Sequence, residues 1–149
     1  TDRALAMLNK QFGKAPKDVK PPVSQQVKLT LPNKPSQAIL KLPDLVQPML
    51  LMGFPAPSRA QARDRMAMTF LQVLLGGGPS SVLQETLKTQ QRLVSDISVN
   101  YEPNQASGCI EVAMDTPPGQ EFKAIQSLLQ QIQQLRAQPV SQQKMQELK

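Results

Sequence analysis

Residues Leu93 to Asp115 read LVSDISVNYEPNQASGCIEVAMD, and this stretch decides the fold. Leu93, Ile97, Val99 and Tyr101 alternate with Val94, Asp96, Ser98 and Asn100, with Ser95 as a polar interruption of the first set. Ile110, Val112 and Met114 then alternate with Cys109, Glu111, Ala113 and Asp115. A period of two is the signature of a half-buried strand. Glu102 to Gly108, carrying Pro103, Asn104 and Gly108, reads as the loop between them. Two strands joined by so short a loop pair antiparallel and put their apolar sets on one face of a hairpin.

Working toward the C-terminus, Thr116-Pro117-Pro118-Gly119 closes the hairpin. Phe122, Ile125, Leu128, Leu129, Ile132 and Leu135 then recur at helical spacing, with Gln126, Gln130, Gln131, Gln133, Gln134 and Gln138 as a solvated outer face. Pro139 ends that helix. Ser141 opens another, with Met145 and Leu148 on one side.

Working toward the N-terminus, the spacing predicts a helix from Pro79 to about Gln91, with Ser81 and Gln84 at capping-box separation. Gly76-Gly77-Gly78 divides it from a long helix, Arg59 to about Leu75. That helix is capped by Ser58 and presents Ala67, Phe70, Leu71 and Leu74, with Met66 and Val73 beside them. Val46 to Phe54 is a continuous apolar run, hence a buried strand, and Pro48 places a bulge in it or delays its start. Val27, Leu29 and Leu31, then Ala38, Leu40 and Leu42, alternate as two further strands around a Pro32–Pro35 turn. Leu5, Leu8 and Phe12 make a first helix, stopped by Gly13 and Pro16. Helix, three strands, two helices, two strands, two helices is an α+β two-layer sandwich: a mainly antiparallel sheet covered on one face by helices.

The composition narrows the chemistry. The chain has 149 residues, one cysteine and no histidine. A histidine base, a Ser-His-Asp triad and a histidine-ligated zinc site are impossible within it. Cys109 cannot form an internal disulfide and, with no histidine to activate it, reads as an inert, small buried apolar residue. Aromatic residues are 3% of the chain, so the core rests on aliphatic side chains and methionine. No apolar run reaches the roughly 18–20 residues of a membrane span.

The net charge of +6 sits in residues 1–43, which hold eight Lys/Arg against two Asp/Glu; the remainder balances. Those lysines lie among prolines, without arginine clusters or interleaved aromatics, and read as solvated surface rather than a nucleic-acid site. The glycine run is not a phosphate loop, because a helix precedes it and no lysine follows until Lys88. It reads as a helix break, or else as a positioned glycine segment with a steric or gating role. Glu111 and Asp115 share a strand face about 13 Å apart, too far for a paired-carboxylate mechanism. The first residue is not Met and the last helix is cut short, so residues 1–149 read as one truncated domain.

Leu74-Leu75-Gly76-Gly77-Gly78-Pro79-Ser80-Ser81-Val82-Leu83, then Leu87 to Ser98, then Pro139-Val140-Ser141, resemble the pitrilysin/insulinase family of zinc metallopeptidases. The run characteristic of that family is Leu-Gly-Gly-Gly-x-Ser-Ser-x-Leu, followed by a Leu-Arg-Glu-x-x-Gly-Leu-x-Tyr-Ser segment and a strand pair. Phe12-Gly13-Lys14-Ala15-Pro16 is similar to a helix-closing Phe-Gly-x-x-Pro in the same units. The resemblance covers nearly the whole chain.

It implies an enzyme assembled from similar α/β units, of which one carries a His-x-x-Glu-His zinc motif and others close a chamber around an unfolded peptide. Without histidine, this chain resembles only a zinc-free, C-terminal-type unit. It also lacks the strand that opens such a unit. The resemblance therefore implies no cofactor in this chain, zinc in a catalytic zinc-binding half (the same longer chain or a separate subunit), and a peptide substrate. By itself the chain is expected to be inactive.

In zinc-free halves of active members an Arg and a Tyr seven residues apart help to bind substrate. Their positions here are Lys88 and Ser95, which makes these two the candidate substrate-binding residues, with Gly76, Gly77 and Gly78 as a structural segment. Lysine keeps the charge without the planar fork of arginine. Serine keeps a hydroxyl without the reach of tyrosine. These losses favour an alternative, a peptidase-like structural or interaction subunit without turnover. Bacterial members of the family are often periplasmic.

Overall fold

The computed structural model describes residues 2–13, 34–138, 140 and 146. The strand expected at Val27–Leu31 and the helix expected from Ser141 lie outside the described residues, Gln146 apart. The described elements are α1 (Asp2–Phe12), β1 (Met49–Ala56), α2 (Ala62–Gly76), a π-helix (Gln84–Gln90), β2 (Asp96–Pro103), β3 (Gly108–Asp115) and α3 (Glu121–Ala137). The strands form an antiparallel sheet of order β1-β3-β2.

The register explains the core. Leu50, Met114 and Ile97 form one row across the sheet; Met52, Val112 and Val99 form the next; Phe54, Ile110 and Tyr101 form a third. These rows share the face that α2, the π-helix and α3 cover with Leu75, Leu83, Leu87, Ala124 and Leu128. The intervening residues, among them Asp96, Ser98, Asn100, Glu111 and Asp115, fall on the opposite face, as a period of two requires. This is the α+β, two-layer arrangement expected, with one face of the sheet covered.

Several local expectations are corrected. Ala38–Leu42 is not a strand. It is exposed, Leu40 at 84%, and no described residue pairs with it, so alternation alone does not satisfy its main-chain groups. The strand after Pro48 does start at Met49, but it runs through Pro55 to Ala56 instead of breaking there. The hairpin strands are longer at the loop, which shrinks to 104–107 and is closed by Asn104 N–H donating to Ser107 O at 2.8 Å.

Helix α2 begins at Ala62. Ser58 does not cap it: its amide and hydroxyl both donate to Gln61 Oε1, at 2.9 and 3.3 Å. Leu74, as expected, and Leu75 are its buried residues, with Met68 and Leu71 half-buried, while Ala67 and Phe70 remain exposed. The rotation follows from the sheet. Gln72 and Gly76 must face β2, and they carry Met68 and Leu75 with them. In α3, Phe122 and Leu129 stay exposed while Ala124, Ser127 and Leu128 are buried. The glutamines on its outer side are solvated, apart from a half-buried Gln131. α1 forms where Leu5, Leu8 and Phe12 place it, and none of its residues is buried. Cys109 is exposed, on the sheet face opposite the helices, contrary to the buried site expected for it.

Candidate functional site

The segment 79–91 departs most from its sequence reading. Only Val82 and Leu83 are α-helical before the π-helix begins. Gln91 N–H donates to Thr86 O at 3.0 Å and Leu93 N–H to Leu87 O at 2.9 Å, both wider spans than an α-turn closes. The capping box is not made. The Gln84 amide instead donates to Ile97 O at 2.7 Å, and the fully buried Ser81 hydroxyl has no partner among the described residues. The Gln84 side chain is turned toward the edge strand, so its oxygen does not accept the Ser81 N–H as a capping box requires, and that N–H donates to Gly78 O instead.

The glycine segment is steric in character. A Cβ at Gly76 would lie 2.6 Å from Val99 Cγ2 and 2.8 Å from Val99 Cβ, so only glycine lets α2 end this close to β2. A Cβ at Gly77 would meet Val73 O at 2.7 Å. Gly78 takes φ +156°, which L side chains rarely adopt.

Arg92 has φ +53°, the left-handed conformation that favours glycine. It stands where the resembled motif has its glycine, so the backbone keeps the turn although the residue differs.

These two are brought to one end of the sheet. Lys88 Nζ lies 3.0 Å from Asp96 Oδ1, and Asp96 directly follows Ser95. The Ser95 hydroxyl donates to Asp115 O at 3.2 Å and accepts from Gln47 Nε2 at 2.6 Å. Asp96 and Asp115 face each other across β2 and β3. The site thus contains Lys88, Ser95, Asp96, Asp115 and Gln47 at the start of β2 and the end of β3. Sequence reasoning missed Gln47, a lone glutamine between Val46 and Pro48 with no periodic or motif signal. It missed Asp96 as well, although its place in the motif, where the family has serine, marks it. Chemically the site offers N–H donors from an ammonium and an amide beside two carboxylates. It holds no nucleophile with an activating base.

The zinc that the family uses does not fit here. The chain has no histidine, and no group of three or more metal-ligating side chains occurs among the described residues. No described helix is long and apolar enough to cross a membrane.

The family profile described as "Peptidase M16 inactive domain" matches residues 1–149. The chain belongs to the M16 peptidase family, as a zinc-free unit of the C-terminal, inactive type. This M16 domain is similar in fold to a protease from Helicobacter pylori, with 18% identity and a TM-score of 0.72 over 99% of this chain and 36% of that one. It is also similar to a peptidase M16 inactive domain from Pseudomonas fluorescens, with 16% identity and a TM-score of 0.64 over 68% of this chain and 25% of that one. The chain thus spans about a third or less of the length of either. A search of curated proteins finds no match.

Proposed function

We propose that residues 1–149 form one wall-building, peptide-docking unit of a zinc metalloendopeptidase, with metal and general base supplied by a catalytic half. Peptide hydrolysis there uses a zinc-activated water. This unit contributes surface and hydrogen-bond donors rather than chemistry. The observation that supports the reading is that Lys88, Ser95 and Gln47 lie at one end of β2, the first two on positions that resemble the substrate-holding ones of related units. In this reading Lys88 donates to a peptide carbonyl. Gln47, hydrogen-bonded to Ser95, supplies the reach that serine lacks.

The test is Lys88→Ala in the complete protein. Loss of one hydrogen bond to the peptide raises KM about 2- to 10-fold. Unchanged cleavage kinetics remove Lys88 from the site.

A second reading, an inactive peptidase-like structural or interaction subunit, is favoured by one observation: the Ser95 hydroxyl already donates to Asp115 O within the fold. Zinc-dependent peptide cleavage by the complete protein supports the first reading. A complete protein without a zinc motif, and without turnover, supports the second.

A further inference from the structure

We infer that Asp96 is a specificity-determining residue: paired with Lys88 and backed by Asp115, it makes this end of the sheet a site for main-chain carbonyls of an internal peptide segment and excludes free C-termini and acidic side chains. The inference rests on the docking reading above and adds the chemical class that docks.

The argument begins with valence. A lysine ammonium has three N–H donors and no acceptor. One is committed to Asp96 Oδ1 at 3.0 Å, which leaves two donors on a group whose charge is already answered. Charge comes next. Asp96 and Asp115 are directly opposed in the β2–β3 register, on the sheet face opposite the helices. Like charges so placed repel unless a cation lies between or beside them. Lys88, Asp96 and Asp115 together carry −1. An unpaired lysine at the same place would attract a carboxylate; this trio repels one.

A peptide carbonyl is different. It is neutral, needs one N–H, and meets no repulsion from either aspartate. Gln47 is consistent with this, because its amide already donates to Ser95 Oγ at 2.6 Å and has the complementarity of a peptide group. The pair is partly solvated, with Lys88 41% and Asp96 65% exposed, so an incoming peptide reaches the ammonium without unburying the core.

The experiment compares two forms of one fluorescently labelled peptide with neutral side chains, a C-terminal amide and a free carboxylate. Both are titrated against the complete protein and followed by fluorescence anisotropy. The wild-type protein binds the amide form at least as tightly as the carboxylate form. Asp96→Asn, which keeps shape and exposure, shifts the ratio toward the carboxylate form by about three- to fivefold, the scale an exposed ion pair can carry. Asp96→Asn combined with Lys88→Met abolishes that shift.

A wild-type preference for the carboxylate form that vanishes in Lys88→Ala overturns the inference. So does an unchanged ratio in Asp96→Asn while Lys88→Ala weakens both peptides, but then docking at Lys88 stands. Lys88→Ala without effect on either peptide overturns the docking reading itself.

Discussion

Along the outer edge of β2, the carbonyls of Ile97 and Val99 accept hydrogen bonds from the Gln84 and Gln72 amides, at 2.7 and 3.2 Å, while Gly76 brings the end of α2 against Val99. The outer edge of β1 has none of this. By the alternation of an antiparallel ladder, the outward main-chain groups of Ile97 and Val99 place those of Met49, Leu51 and Gly53 outward on β1. No described residue pairs with them. The side chains of Met49 and Leu51 are more than half exposed, and no charged residue occurs from Leu45 to Ser58. The contrast shows two ways of finishing a strand. The β2 edge is sealed by side-chain amides from helices that the same chain has already packed. The β1 edge has no charged residue, and its guard is Pro55, which lacks an N–H; among the described residues the outward groups of Met49, Leu51 and Gly53 are unpaired.

The largest effect is expected where the seal is tightest. Gly76→Ala pushes a Cβ into Val99 and costs about 1–3 kcal/mol in chemical denaturation, the scale of overpacking. Adding Val99→Ala recovers part of that loss, and the double-mutant cycle measures the contact. Gln84→Ala unmakes a 2.7 Å bond to the edge and costs about 1 kcal/mol, and Gln72→Ala costs less. An equal loss from both would mean that the edge is not held mainly by the shorter bond. Arg92→Gly, at the turn that leads into β2, relieves a left-handed backbone. It raises the melting temperature by the equivalent of under about 1 kcal/mol, since glycine also costs entropy. Leu51→Lys on β1 changes stability by no more than about 0.5 kcal/mol but lowers self-association at high concentration, read by light scattering. A stability loss of several kcal/mol in that variant would show that the β1 edge is covered in the protein.

Much of the sheet was legible because both faces of the hairpin announce themselves through a period of two. α1 and α3 were legible through spacing, although Phe122 and Leu129 show that spacing names a stripe wider than the buried line. The π-helix was not legible. Its winding is imposed by Leu83 and Leu87 reaching the core and Gln84 reaching β2, none of which a local pattern encodes. The strand at Ala38–Leu42 fails for the complementary reason, since alternation permits a strand but a partner makes one. For the site, Lys88 and Ser95 came from motif position alone. Gln47 needed the fold, because its partner lies 48 residues away in sequence; Asp96 was marked by its motif position, but its pairing with Lys88, 8 residues away, needed the fold.

Tyr101 belongs to the third row of the core, and its hydroxyl donates to Pro57 O at 2.6 Å, fastening β2 to the chain just past the end of β1. Residues 1–149 hold no tryptophan and no other tyrosine. With excitation beyond the phenylalanine band, the emission of these residues therefore comes from one ring at one clasp between the two outer strands. A change in that emission during denaturation or ligand titration reports the opening of that clasp, with no label added and no other fluorophore to subtract.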